Sequence, residues 1–462
     1  MRDTRPFVNG RVSRIAEMKV LRAHYYFELS RLFNKIPYFD ENVEISQYPD
    51  IPNNEFTREE ILSMLAKEML DAAEQLPASQ PEVGRIHKYI ALAYAAKIKL
   101  YQAYQQDEIT HAVTSINKEL LREVVSLCDQ VTASNRYGLL DDFQGLDLVT
   151  NENGKESVFA IQYSMNDGTE SAGRINWSNL LNSPGGGSPY GGDGFFLPSQ
   201  DLINAYQTDA NGLPDFNYQS KSDYSWAVLN NGVYTLQNTT PNVDPRLDFV
   251  VGRPTITWKT YPDKPCEGWV RDKDTYGYNC AKRFWVSPES SDMFNGWPWG
   301  ASQLNWQIIR YADILLWKAE ALIELNEGNG LETARDLINQ IRNRARNSAY
   351  VKDFNDHSKY AANYLVNPYP ADVWNQDYAR QALRWETRLE KALEGERFFD
   401  LVRWGIVETT MNKYITAESD NRIYYANAHF TGGKDEYYPV PNNQYGFSGG
   451  KYVQNPGYAP FN

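Results

Sequence analysis

The stretch Arg388–Gly405, RLEKALEGERFFDLVRWG, restricts the possible folds more than any other part of the chain. Leu389, Ala392 and Leu393 recur at helical spacing, with Arg388, Glu390, Lys391 and Glu394 between them. Gly395 interrupts the pattern, and an interior glycine costs a helix about 1 kcal/mol relative to alanine. A dense block follows, in which Phe398, Phe399, Leu401, Val402 and Trp404 are mixed with Arg397, Asp400 and Arg403. Charges this close to bulky aromatics predict a helix junction buried on most sides, with Arg397 and Arg403 paired to carboxylates such as Glu390, Glu394 or Asp400. Glu394 and Glu396 could instead be an acid/base pair, but residues two apart face different sides of a helix, which favours the structural role.

Amphipathic helices dominate both ends of the chain. Residues 13–33 place Met18, Leu21, Tyr25, Leu29 and Leu32 on one stripe, with Ser13 as N-cap. Thr57, with Glu60 three residues on, is a capping box opening a helix over 58–76 that carries Leu62, Leu65, Met69, Ala72 and Leu76. Further helices are expected at 85–105 and 117–133. Beyond Asn305, Ile308, Tyr311, Leu315, Ala319 and Leu322 predict a long helix, and Ala334, Ile338, Ile341 and Ala345 the next. Arg310 and Asp313 are expected to pair on one helix face, and residues 378–405 complete this second helical block. Helix pairs joined by short turns indicate an α-solenoid of tetratricopeptide type, although no consensus repeat is legible.

The middle of the chain is different. Glu156–Tyr163 alternates as a strand, and residues 164–300 are rich in Gly, Pro and Asn. The glycines of 185–194 match neither a Walker loop nor a dinucleotide fingerprint and predict a turn-rich loop. Asp141 and Asp142, adjacent on a turn, fit capping better than catalysis. Aromatics make up 14% of the chain, and 8 of its 12 Trp fall within 177–306. Aromatic rings stack on the apolar face of a sugar while Asn, Asp, Gln and Arg take its hydroxyls. Ligand contact is therefore placed on Trp258, Trp269, Tyr276, Tyr278, Trp285, Trp297 and Trp299, with loop packing as their alternative role.

A formal charge of −13 argues against nucleic acid as partner. No run of 18 apolar residues is present to span a membrane. Five scattered His show no zinc spacing, so neither metal nor cofactor is expected. Of three Cys, Cys266 and Cys280 lie in one loop segment and are expected to form a bridge, while Cys128 falls in the apolar periodicity of a helix as a buried thiol.

Several segments resemble the SusD/RagB family of nutrient-binding outer-membrane lipoproteins, in that family's order: Arg388–Gly405; Ser13–Pro37; Glu156–Tyr163; Gly191–Pro198; Asp244-Pro245-Arg246-Leu247; Ile309–Leu316 with Ala319-Glu320-Ala321; Asn339–Arg342; Tyr437–Pro441; and Gln454–Tyr458. The resemblance implies a mainly α, tetratricopeptide-like α–α superhelix with a large irregular insertion containing short strands. Its expected parts are a helical region 1–136, an irregular aromatic-rich ligand-binding region 137–303, and a helical block and tail 304–462, together forming one compact domain. The family segment that begins here at residue 13 normally lies well inside the mature protein, so an N-terminal portion of the family fold is expected to be missing.

The resemblance further implies a non-enzymatic surface protein that captures an oligosaccharide or polysaccharide and delivers it to a SusC-like TonB-dependent transporter. Membrane attachment would come only through an N-terminal lipid anchor not present in this chain. Peptide capture, a glycoside hydrolase and a generic protein-interaction solenoid are the alternatives.

Overall fold

The computed structural model describes residues 10–170, 173–182, 185, 187–260, 267–297 and 299–461. The amino-terminal helices are α1 (Arg11–Phe33), α2 (Arg58–Gln75), α3 (Lys88–Ala103) and α4 (Lys118–Ala133). Their ends follow local chemistry. At α2, the Thr57 hydroxyl accepts the Glu60 N–H at 3.2 Å and the Glu60 carboxylate accepts the Thr57 N–H at 2.8 Å, which completes the expected capping box. At α4, the Asn117 side chain accepts two N–H groups of the first turn.

After the irregular middle come α5 (Tyr311–Leu325), α6 (Gly330–Asn347), α7 (Gln376–Glu390), α8 (Arg397–Arg403) and α9 (Val407–Glu418). Neighbours in sequence pack on one another from α1 to α4; α4 then packs directly on α5, α5 on α6, and α7 on both. The helical stack thus continues across the middle of the chain as though it were not there. One apolar core runs through it, from Val20, Leu65, Tyr94 and Val124 to Leu315, Ile338 and Leu383. Each such side chain contributes about 1.5–3 kcal/mol on burial. The run Ala91, Ala93, Ala95 and Ala96 explains how α3 is buried on nearly every side: small residues let helices approach from several directions.

Two expectations fail in instructive ways. The buried face of α1 is Ala16, Val20, Ala23 and Phe27, while Met18 and Tyr25 are exposed. Small side chains pack more closely against α2 than the bulkier stripe could, and Ser13 lies inside the helix, with Gly10 at its N-cap. The helix expected from Asn305 begins only at Tyr311, because Trp306–Arg310 is a strand. It pairs antiparallel with Ser157–Ile161, so the chain enters and leaves its irregular middle at one place.

Beside that strand pair lies a buried ion network. Arg310 donates to Glu156 at 2.7 Å, Glu390 at 3.0 Å and Glu394 at 2.7 Å. Arg246 bonds Asp244 and Glu386, both at 2.6 Å, and Arg283 reaches Asp147 at 3.1 Å and Glu394 at 3.2 Å. Arg344 joins Glu156 to Glu390. The Asp-Pro-Arg-Leu motif is therefore a structural tie between the irregular part and α7.

The expected pairing of the junction holds for Arg403 with Asp400 and needs correcting for the rest. Glu390 and Glu394 serve these arginines, not Arg397 or Arg403. Arg403 bonds Asp400 at 2.9 Å and Glu320 at 3.1 Å. The hydrogen bond found for the Arg397 side chain runs at 3.4 Å to the carbonyl of Arg384. Asp313 does not pair with the Arg310 guanidinium; it caps α5 through the Arg310 N–H at 2.7 Å and holds Lys391 at 2.7 Å.

Candidate functional site

Three of the seven aromatics expected to touch ligand are core residues. Trp258, Trp269 and Trp285 are buried around Tyr190 in an apolar cluster of their own. The Trp258 indole N–H donates to the Tyr190 hydroxyl at 3.0 Å, and that hydroxyl donates to the Val286 carbonyl at 2.7 Å. Ring centroids of Trp258 and Trp269, and of Tyr190 and Trp285, lie 5.1 Å apart. Rings so enclosed offer no face to a sugar; they hold the loops in place in a region with little regular secondary structure. Tyr278 is partly buried and braces the hairpin of Trp226–Asn230 and Val233–Gln237, edge-on to Trp226 at 6.2 Å and Tyr234 at 5.6 Å.

The other three face solvent. Trp297 is 67% exposed, Trp299 54% and Tyr276 42%. Trp297 and Trp299 belong to one turn, closed by the Phe294 N–H donating to the Ala301 carbonyl at 2.8 Å and by the bridge of Met293 with Ser302. The turn packs against the glycine-rich loop. Gly191 has a φ of +65°, and a Cβ there would lie 3.2 Å from the Cβ of Trp299. The Asn176 N–H donates to the Ser302 carbonyl at 2.9 Å, and the Phe195 N–H to the Leu181 carbonyl at 3.0 Å.

The segments 176–182, 191–196 and 297–302 therefore form one surface. It also carries Trp177, Phe195 and Phe196, exposed aromatics that the sequence reading passed over. Their signal was the Phe195-Phe196 doublet directly after a Gly-rich loop, where no helix or strand exists to bury it. Polar partners sit alongside, with Arg271 bonded to Asp193 at 2.8 Å. The Tyr276 ring instead meets exposed Tyr424, with centroids 6.2 Å apart.

The acidic pairs considered for catalysis are engaged elsewhere. Burial alone would raise the Glu394 pKa, but Arg310, Lys391 and Arg283 outweigh it and hold the carboxyl below the usual range. Burial likewise opposes Arg31 and Lys97 at Glu396, and the cations win. Asp141 pairs with Lys155 at 2.9 Å, and Asp142 caps the turn at Gln144. Among the described residues, no group of three or more His, Cys, Asp or Glu could hold a metal ion, and no helix is long and apolar enough to cross a membrane. Cys280 is disulfide-bonded and Cys128 is a buried free thiol; Cys266, the expected partner of Cys280, lies outside the described residues.

A stack of paired helices carrying an irregular part with an aromatic surface defines a class of helical binding scaffolds. The chain belongs to the SusD family, whose model matches residues 155–458. A SusD-like protein of Bacteroides ovatus is 22% identical over 84% of this chain, and the match spans 58% of that relative's length. A SusD-like carbohydrate-binding protein of Bacteroides fragilis shares the fold with a TM-score of 0.69 at 21% identity, over 96% of this chain and 80% of that one. A surface glycan-binding protein A of Bacteroides thetaiotaomicron, solved with laminarihexaose, matches with a TM-score of 0.60 at 16% identity, over 96% of this chain and 78% of that one.

Proposed function

We propose that this protein is a cell-surface glycan-binding protein that captures an oligosaccharide or polysaccharide without cleaving it and passes it to a TonB-dependent outer-membrane transporter. The observation that carries the reading is the pair of exposed indoles, Trp297 and Trp299, in a turn held from below by buried packing. Exposing two large rings costs hydration free energy that a sugar's apolar face would recover. Trp177, Phe195 and Phe196 extend the same surface, and Asp193 and Arg271 supply hydroxyl partners. Trp258, Trp269 and Trp285 support the surface without touching ligand. The carbohydrate-binding and laminarihexaose-bound neighbours favour sugar over peptide, and the neutralised acidic pairs favour binding over hydrolysis.

Affinity electrophoresis against a panel of neutral β-glucans and other polysaccharides tests this. Retardation by at least one glycan, lost in a Trp297→Ala/Trp299→Ala double variant that melts like the parent, is the expected result. New reducing ends appearing on long incubation with pure protein would overturn the non-catalytic reading.

A further inference from the structure

A groove of about 370 Å³ opens between α7, the start of α8 and the face of α9, and its lining includes no residue of the surface that carries Trp297 and Trp299. Arg384, Arg388, Arg397 and Lys413 line it, with Phe216 and Trp385 as an apolar wall, their rings edge-to-face at 5.1 Å. In a chain of net charge −13 such a basic concentration is unexpected. Arg388 is answered by Asp201 at 2.6 Å and the Tyr218 hydroxyl at 2.9 Å. Arg380, also in the lining, is answered by Glu324 at 2.7 Å and by Asp377, the one acid among the described lining residues, at 3.0 Å.

Arg384 and Arg397 are different. Both guanidiniums lie against the ring of Trp404, at 5.2 and 5.9 Å from its centroid. Among the described residues neither forms an ion pair, and the 3.4 Å bond to the Arg384 carbonyl leaves most Arg397 donors unused. Exposed Lys413 also lacks a carboxylate within ion-pair distance among those residues. Burial, and after it the neighbouring Arg388 charge, push the Arg397 guanidinium below the usual arginine range, outweighing the opposing charge of Asp400, which stands beyond ion-pair distance. Arg403 shares that indole, at 5.3 Å, but is paired with Glu320 and Asp400; the two cations without an ion pair, at the edge of a solvent-open groove, are an arrangement that an incoming anion would stabilise.

We propose that this groove binds an oxyanion carried on a sugar ring, a uronate carboxylate or a sulfate ester, with Arg384, Arg397 and Lys413 on the anion and the Trp385–Phe216 wall against the ring. The apolar wall beside a point of positive charge fits an acidic saccharide better than a bare inorganic anion. The saccharide part rests on the glycan-binding reading, whereas the anion part stands on the groove alone. The occupant is distinct from whatever meets Trp297 and Trp299, so an acidic side group or a second segment of one polysaccharide could be held here.

Calorimetric titration of the full chain with oligogalacturonate and, separately, with a sulfated galactan oligosaccharide tests the proposal. At low salt at least one should bind and weaken steeply as salt is added, and the preferred probe identifies carboxylate or sulfate ester. Arg384→Gln and Lys413→Gln should each weaken binding by roughly tenfold or more. Lys413 is a surface residue whose loss leaves the fold intact, so its variant stays informative if an arginine variant unfolds. The Trp297→Ala/Trp299→Ala double variant should bind the acidic probe like the parent, which separates this groove from the neutral-glycan surface. Failure of both probes to bind, or unchanged binding in both charge variants, would overturn the site. Poly-glutamate binding more tightly than either saccharide, with the same sensitivity to the variants, would overturn the saccharide assignment.

Discussion

Arg310 and Glu394, 84 residues apart in sequence, meet in a bidentate pair, with Nη2 donating to Oε1 at 2.7 Å and Nε to Oε2 at 3.2 Å. Arg310 ends the strand at the base of the irregular part, and Glu394 lies in the turn between α7 and α8. Deleting Arg310 leaves Glu394 with only Arg283 and Lys391 and takes one cation each from Glu156 and Glu390, and breaking a buried pair of this kind costs about 3–5 kcal/mol. Arg310→Met should therefore lower the urea midpoint severely. An Arg310→Met/Glu394→Leu double variant should recover part of that loss, since one of the three acids that lose Arg310 is then gone; equilibrium unfolding of the three proteins checks both.

Two kinds of tryptophan should respond differently to truncation. Trp404 is buried, with its indole N–H on Glu320 at 2.8 Å, so Trp404→Ala should cost about 3–5 kcal/mol and unfold much of the protein at physiological temperature. Trp297→Ala and Trp299→Ala should leave melting nearly unchanged and remove a stacking contact of about 1–3 kcal/mol, a drop in glycan affinity of roughly fivefold or more. Melting and glycan retention measured on the same samples separate the two classes. Early melting of both surface variants without specific loss of ligand would move the site elsewhere.

Gly191 supports Trp299 from below. An alanine there would take a left-handed backbone at a cost of about 1–2 kcal/mol and press on the Trp299 side chain. Gly191→Ala should weaken glycan binding more than it lowers melting. Equal affinity in parent and variant would show that Trp299 does not need its present position.

Stability should depend on pH through Glu418. Burial, and after it the charges of Asp201 and Asp223, raise its pKa from 4.5 to about 7, against the lowering effects of the Asp201 N–H and Arg422. One carboxylate oxygen of Glu418 has no hydrogen-bond partner. A carboxyl that holds its proton more tightly when folded contributes stability that is complete below about 4.5 and is lost as pH rises through about 7. Glu418→Gln should therefore raise stability above neutrality, by on the order of 2 kcal/mol, with a higher melting temperature there and little change in mild acid. Thermal melts across that range decide it.

The helical half was legible because its signals are local. Thr57 and Glu60 declare a helix start within four residues, and Ala334, Ile338, Ile341 and Ala345 mark a buried face by spacing alone. The inner face of α1 was misread because spacing counts bulk, whereas close helix packing selected Ala16, Val20 and Ala23. Trp306–Arg310 read as helix because its partner strand lies far back at Ser157–Ile161, and pairing over such a distance leaves no periodic trace. In the irregular part, composition marked a concentration of aromatics but could not sort them. Trp285 and Trp297 look alike in sequence, and only the arrangement of loops around Tyr190 buries one and exposes the other. Arg397 seemed to have carboxylates on every side; cations of other segments had taken Glu390, Glu394 and Glu396, and Arg403 had taken Asp400.

Because Ser157–Ile161 and Trp306–Arg310 are hydrogen-bonded neighbours, everything between them is a cassette whose two ends meet at one socket in the helical scaffold. Its outward loops can be rewritten for another ligand without disturbing the helices that carry them. The socket does set terms. A replacement must still send an arginine to Glu386 and Glu390, as Arg246 does, and another to Glu394, as Arg283 does, or α7 and the turn that follows it lose part of the positive charge that balances their buried acids. The long stretch that looks freest in this chain is therefore pinned at a few charged positions, and a grafted recognition surface would inherit the scaffold's stability only by keeping them.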